Sequence, residues 1–318
     1  LLVLSVSDRC DQRCAHCDLW QDGGRPALSP EQRRRVVDEA LALGIERALF
    51  TGGEPLLSPD LEPLARRLRE AGVRTLLATT GMGLVARAEA VGRLFHEVYV
   101  SLDGPTPAVH DAVRGVAGFA RVAAGVASLA RVAPGVRRVA RCTLHGMNLA
   151  AFAELPGAAR RLGFHHVSFL PIDVHSPAFG GHPGARRQLA PSPREVAGFR
   201  RALRRLEAGG AFRDGFVLES PARLRRLAEH LEATAGGGGW RRPDCDAPWW
   251  SVMVEADGRV RPCFFHEPVG EAGEGLARLR GSPRMWAALR SIRDGHPTCD
   301  ACVCPKARGG PVPGWRPA

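Results

Sequence analysis

The 318-residue sequence has no apolar run long enough to span a bilayer. Its opening stretch, LLVLSV, is too short for a signal-peptide core, and no small-residue cleavage site follows. These absences argue against a membrane or secreted protein and place it in the cytoplasm. The chain starts without Met, which leaves room for a preceding segment. Lysine is nearly missing: of the 44 Lys and Arg residues, only Lys306 is a lysine. The net charge of +11 therefore reads as an Arg-, Ala-, Gly- and Pro-rich composition more readily than as a nucleic-acid surface. No aromatic array suited to stacking bases interleaves the arginines, which weakens an RNA reading further. An acidic peptide or an acidic electron carrier remains compatible with the charge. There is no internal repeat.

Cysteine is what the chain does have. It holds nine, and eight of them fall into two groups, one near the N-terminus and one in the last quarter. In a chain without a secretory signal they are expected as thiols or metal ligands, not disulfides. SDRCDQRCAHCDLW (7–20) places Cys10, Cys14 and Cys17 within eight positions. No fourth cysteine lies close by, and His16 sits between two of the three, poorly placed to complete their site. Thiolates favour soft metals, and a 4Fe–4S cluster takes one ligand per iron. Three ligands would leave one iron open to a small molecule, as catalytic zinc keeps an open position. A zinc site closed by a distant residue, or three unligated thiols, stands as the alternative.

Hydrophobic content of 45% and charged content of 24% suit a globular chain, long enough for one large barrel or two domains. Strand-like runs occur at 1–6, 47–53, 73–81, 97–104, 135–146 and 165–173. Helical stretches separate them, the first opened by Ser29-Pro30 and stopped at Gly44. Six consecutive βα units imply a parallel sheet with right-handed crossovers. The expected fold class is α/β, a partial TIM-like (β/α)6 barrel whose site lies after the strands. Helices near 194–208 and 221–235 follow a Gly/Pro-rich loop at 176–193, and GGGG (236–239) reads as a linker. Beyond it, residues 249–265 read as a β-hairpin turning at Asp257-Gly258, with a helix near 282–292. The expected division is 1–235, the linker 236–239, a small hairpin and helix domain at 240–308, and a tail at 309–318.

Cys10-x3-Cys14-x2-Cys17 after the first strand of a partial barrel resembles the radical S-adenosylmethionine (SAM) enzymes. The resemblance implies that SAM chelates the open iron, that the reduced cluster cleaves it, and that a 5′-deoxyadenosyl radical takes hydrogen from a substrate. Further matches follow in the family's order. TGGEP (51–55) is similar to the Gly-Gly-Glu motif: Gly52 and Gly53 permit close backbone approach, and Glu54 suits the SAM ammonium. TTG (79–81) stands where relatives often show Thr-Asn-Gly, with Thr79 conserving the pattern and Thr80 replacing Asn. SLDG (101–104) offers Ser101 and Asp103 to ribose hydroxyls, and HDAVRG (110–115) also fits the pattern. His16 departs from it, because an aromatic residue near the adenine is usual there.

Cys245-x12-Gly258-x4-Cys263 resembles the start of SPASM and twitch domains, C-terminal extensions that hold auxiliary 4Fe–4S clusters. With Cys299 and Cys302 as further ligands, the resemblance implies one auxiliary 4Fe–4S cluster. Cys304 is left over, as an alternative ligand, a hydrogen donor or a bystander. A zinc knuckle from His296, Cys299, Cys302 and Cys304 competes with that reading. Cys142, alone on the fifth strand, is a core residue or a hydrogen donor. His145, Asp173 and His175 follow the fifth and sixth strands and are candidates for substrate contact.

The expected function is a radical SAM enzyme using a flavodoxin- or ferredoxin-type electron donor. Its substrate is a natural-product or cofactor precursor, with a small molecule slightly favoured because no leader-binding domain is legible. A ribosomal-peptide or protein maturase is the alternative. A non-catalytic Fe–S carrier or a zinc-binding nucleic-acid module would need neither the Gly-Gly-Glu motif nor the ribose motif.

Overall fold

The computed structural model describes residues 1–21, 26–179, 183–243 and 245–304. The expected tail at 309–318 and Lys306 lie outside them. Six parallel strands carry the N-terminal part: β1 (Leu2–Ser7), β2 (Arg47–Gly52), β3 (Arg74–Thr79), β4 (Glu97–Ser101), β5 (Arg137–Leu144) and β6 (His166–Pro171). The helices between them are α1 (Pro30–Ala42), α2 (Leu61–Glu70), α3 (Leu84–Leu94), α4 (Pro107–Arg114), α5 (Phe119–Val132) and α6 (Leu155–Arg161). The strands pair in chain order, each parallel to the next. All of β1 is buried, as expected of a parallel strand covered on both faces. Leu4, Phe50, Leu77, Val98 and Val100 from the strands pack with Val37, Leu68, Leu84 and Val126 from the helices in one core.

Local chemistry accounts for the element ends. Ser29 and Gln32 form a reciprocal capping box at the start of α1, with Pro30 in its first turn. The helix expected at 148–162 begins later: residues 149–151 make a 3₁₀ turn, and α6 starts at Leu155 with Pro156 in its first turn. α4, over the HDAVRG segment, was not among the sequence expectations. At eight residues it is too short for a clear apolar period.

The C-terminal part contains α7 (Pro183–Arg186), α8 (Pro193–Ala208), α9 (Pro221–Thr234), α10 (Ala247–Trp250), β7 (Val252–Val254), β8 (Arg259–Arg261) and β9 (Gly270–Glu271). Three further helices, α11 (Leu276–Arg280), α12 (Pro283–Gly295) and α13 (Pro297–Asp300), complete it. The hairpin is shorter than its sequence suggests, because Ala247–Trp250 turns as a helix and β8 stops at Arg261. Cys263 therefore lies beyond the return strand instead of on it. The hairpin also continues the main sheet: β7 pairs in parallel with β1, Leu2 opposite Val252, giving the order β6-β5-β4-β3-β2-β1-β7-β8-β9. Among the described residues no single helix is long and apolar enough to cross a membrane.

Candidate active site

The loop leaving β1 carries Cys10, Cys14 and Cys17, and it is held mainly by backbone. Ser7 O accepts the N–H of Gly53 at 2.8 Å, and Arg9 O accepts that of Glu54 at 2.7 Å. A Cβ on Gly52 would stand 2.3 Å from Ser7 O, and one on Gly53 2.3 Å from Arg9 O. Gly52 also has a φ of +132°, which only glycine adopts freely. The close approach made by the two glycines is thus to the cysteine loop itself. From the other side, the N–H groups of Arg13 and Ala15 donate to the carbonyls of Arg114 and Val113, each at 3.0 Å. Those carbonyls end α4 and have no partner within the helix. Gly115, at φ +67°, leaves room for Arg13 O, which a Cβ would meet at 2.4 Å.

The three thiols share one environment. Burial pushes Cys10 and Cys17 up to about 12, and each is raised further by neighbouring thiols: Cys10 by Cys14, Cys17 by Cys14 and Cys10. Cys14 is raised by burial and lowered by Arg114, whose Nη1 lies 3.5 Å from its sulfur. As thiols they are poorly ionised, so a bound cation is what would draw off their protons. Among the described residues no three His, Cys, Asp or Glu side chains close around a point that one ion could occupy. A cluster takes one thiolate per iron, so three thiols on one loop fit it.

Glu54 is fully buried and takes three hydrogen bonds: Thr79 Oγ1 donates at 2.7 Å, Thr80 N at 2.6 Å and Leu56 N at 2.9 Å. Burial still raises its pKa to about 7. Thr80 Oγ1 donates in turn to Asp11 on the cysteine loop at 3.0 Å. Thr79 and Thr80 therefore position Glu54 and the loop. Asp103 is also fully buried, but Arg114 Nη2 stands 2.5 Å from it and Thr143 N donates to it at 2.8 Å. Burial works to raise its pKa, yet Arg114 and the other charges hold it below the usual carboxylate range. With one oxygen on Arg114, Asp103 is less free for a ribose than SLDG suggests. Ser101 ends β4 half-buried.

Residues the sequence reading did not single out complete the mouth. Arg114 spans Asp103, Cys14 and Gln12. His110 accepts the N–H of Asp103, and Asp111 caps α5 through Gly118 and Phe119. HDAVRG therefore acts as a brace between β4, α5 and the cysteine loop. Its role depends on which loops meet in space, and only the motif's presence was legible. Asn148 donates to Asp103 O and Thr143 O, and lies 3.8 Å from the fully buried Cys142. Burial holds Cys142 well above the usual thiol value.

His16 and His145 face each other with ring centroids 5.4 Å apart, and loss of water lowers their pKa values to about 3 and about 4. Both rings are neutral near pH 7. Among the described residues, Gln12 Nε2, His16 Nδ1, Arg114 Nε and His145 Nε2 are buried without hydrogen-bond partners, so they keep capacity to bind a polar group. Asp173 turns inward on its own loop, accepting from the N–H groups of His175 and Ser176, with Arg186 at 3.7 Å. His175 packs its exposed ring on Trp240, centroids 4.5 Å apart.

The second group draws Cys245, Cys263, Cys299 and Cys302 together from three segments. Burial raises Cys263 to about 12 and Cys299 to about 11; Cys263 is raised further by Cys299 and Cys245, and Cys299 by Cys245. Cys302 is raised by burial and then by Cys304, Cys263 and Cys245. Phe265 and Val303 form a small apolar cluster against Cys263, Cys302 and Cys304. His296 caps α13 by accepting the N–H of Thr298. The imidazole nearest a thiol is instead His266, whose Nε2 lies 3.2 Å from Cys299 Sγ. Phe179 links the two groups: its carbonyl accepts the N–H of Asp18 at 2.8 Å, and its ring packs on Phe264 at 5.0 Å.

Residues 4–155 match the profile of the Radical SAM superfamily. A PqqA peptide cyclase from Ruegeria pomeroyi is 29% identical over 275 residues, covering 84% of this chain and 68% of that protein. An AdoMet-dependent heme synthase from Methanosarcina barkeri is 34% identical over 133 residues, covering 39% of this chain and 37% of that protein. The structure of Streptococcus suis SuiB bound to the precursor peptide SuiA superposes with a TM-score of 0.70 at 16% identity. That superposition covers 96% of this chain and 71% of SuiB. The protein is an enzyme of the partial-barrel α/β class, and its residues 4–155 carry a radical SAM domain. Such a domain implies a 4Fe–4S cluster and SAM.

Proposed function

We propose that this enzyme modifies a peptide, with Cys10, Cys14 and Cys17 holding the SAM-binding cluster and the C-terminal cysteines holding an auxiliary one. The observation that carries the peptide reading is the extent of the likeness. A relative matched over 84% of this chain is named a peptide cyclase, whereas the heme synthase matches over 39% of it. Trp20 and Met147, large apolar side chains left exposed on the loops after β1 and β5, suit side chains of a peptide. A small-molecule substrate is the second reading, favoured by the higher identity of the heme synthase match.

Bound at the first site, the cluster and SAM would supply reductive cleavage and hydrogen abstraction. The chain's own residues bind and shield. Glu54, fixed by Thr79, Thr80 and Leu56, presents a carboxylate for the SAM ammonium. Gly52 and Gly53 seat the loop, and Ser101 with Asp103 would border the SAM ribose. His16 lies where an adenine would stack. Arg114 offsets negative charge at Cys14 and Asp103. His145 is the substrate-side candidate whose buried nitrogen is free. Cys142 and Cys304 are thiols within the fold that could donate hydrogen, and Asp173 and His175, candidates for substrate contact, shape the loop after β6. Cys245, Cys263, Cys299 and Cys302 would ligate the auxiliary cluster within a unit spanning 240–308. A flavodoxin- or ferredoxin-type protein would deliver the electron.

The test is anaerobic reconstitution with iron and sulfide, then dithionite, SAM and peptides encoded beside the gene. We expect 5′-deoxyadenosine together with a mass change in one peptide. 5′-Deoxyadenosine with no altered peptide, and turnover of a tetrapyrrole or sugar instead, would replace the peptide reading by the second one.

A further inference from the structure

His266 is held more firmly than a loop histidine needs to be. It is 5% exposed. Its N–H donates to Cys263 O at 3.3 Å, and its carbonyl accepts from the Arg261 guanidinium. Arg261 is itself fixed by Glu255, at 3.0 Å. The ring packs on His296, centroids 4.6 Å apart, and His296 caps the helix that carries Cys299. Backbone and ring together aim Nε2 at Cys299 Sγ, 3.2 Å away.

One proton must lie between these two atoms, since two lone pairs facing each other at that distance would repel. With Cys299 as a thiol, the sulfur can donate and Nε2 accept. With Cys299 as a thiolate ligand, the sulfur has no proton, so Nε2 must carry it. We infer that His266 is a positioning and tuning residue for the auxiliary cluster, donating an Nε2–H···S hydrogen bond to the Cys299 thiolate. The inference rests on the auxiliary-cluster reading above. Such a bond withdraws charge from the ligand sulfur and favours the reduced, more negative cluster, so it raises the reduction potential. It also fixes which imidazole nitrogen is protonated.

The experiment uses the full chain with Cys10, Cys14 and Cys17 all changed to Ala, so that any remaining cluster is the auxiliary one. Iron, sulfide and zinc are counted first, and the midpoint potential is then followed by EPR. A chain that binds zinc and no iron sinks the auxiliary cluster itself. If iron and sulfide assemble, His266→Leu should shift the midpoint to a more negative value, and His266→Gln, which keeps an N–H donor, should recover part of the shift. Should the Leu variant fail to assemble a cluster, the Gln variant decides: a midpoint near that of the parent supports the bond. A loaded Leu variant with an unchanged midpoint overturns the inference. So does a strong directly coordinated ¹⁵N coupling in the parent labelled at histidine, which would make His266 a ligand.

Discussion

The two cysteine regions solve the same problem in opposite ways. The first takes three thiols from one loop and fixes it by backbone hydrogen bonds to β2 and α4. Its glycines are required because carbonyl oxygens approach where side chains would start. The second gathers thiols from distant segments on short elements, and side chains hold it: Phe264, Phe265, Val303 and His266. A single loop bound by its backbone can leave a ligand position free without losing its shape. A group assembled by side-chain packing has more thiols than one cluster requires, and its geometry depends on what surrounds them.

The sharpest way to break the comparison is to remove one thiol from each region. Cys14→Ala should abolish SAM cleavage, measured as 5′-deoxyadenosine, and lower bound iron by about four atoms per chain while leaving the second site loaded. Cys245→Ala should remove a similar amount of iron yet retain SAM cleavage without substrate. Next comes Arg114, whose loss leaves Asp103 buried without its cation. Arg114→Ala should cost about 3–5 kcal/mol in chemical denaturation, whereas Arg160→Ala, at an exposed pair with Asp214, should cost much less.

Glu54 gives a pH test of the first region. Its folded pKa, about 7, lies above the ordinary 4.5, so the folded state holds the proton more tightly. Its contribution to stability is therefore fullest below the ordinary value and falls as pH rises toward 7, by about 3 kcal/mol in all. Glu54→Gln should flatten that decline in metal-free protein, as followed by urea denaturation at several pH values. Asp103 runs the other way: its pKa is depressed, so its contribution is present above the ordinary carboxylate value and is lost as pH falls through the folded one. A smaller effect is expected from Gly53→Ala. Crowding Arg9 O should cost about 1–3 kcal/mol and lower iron loading of the first site, with the second unaffected.

Much of this was legible because it is local. The strand runs, the Ser29 cap and the three-cysteine loop each depend on a few adjacent residues. At the mouth, Glu54 was legible from its motif, and Thr79 and Thr80 from theirs, but not the hydrogen bonds by which they hold Glu54, because those form only where two strand ends meet. Arg114, Gln12, Asn148 and His266 were missed for the same reason: each matters through a residue far away in the chain. The pairing of β7 with β1 was invisible too, since a three-residue strand leaves almost no periodic signal.

That pairing has a consequence for how the protein is made. Among the described strands β1 is translated before the others, buried on both faces in the finished protein and apolar at Leu2, Val3, Leu4 and Val6. One of its edges is covered early by β2, but the other waits for β7, translated after all six barrel strands. Throughout that interval the strand that launches the cysteine loop presents an open edge to other nascent chains. Slow translation or early truncation before Val252 should therefore yield aggregates, with the barrel sequence itself intact.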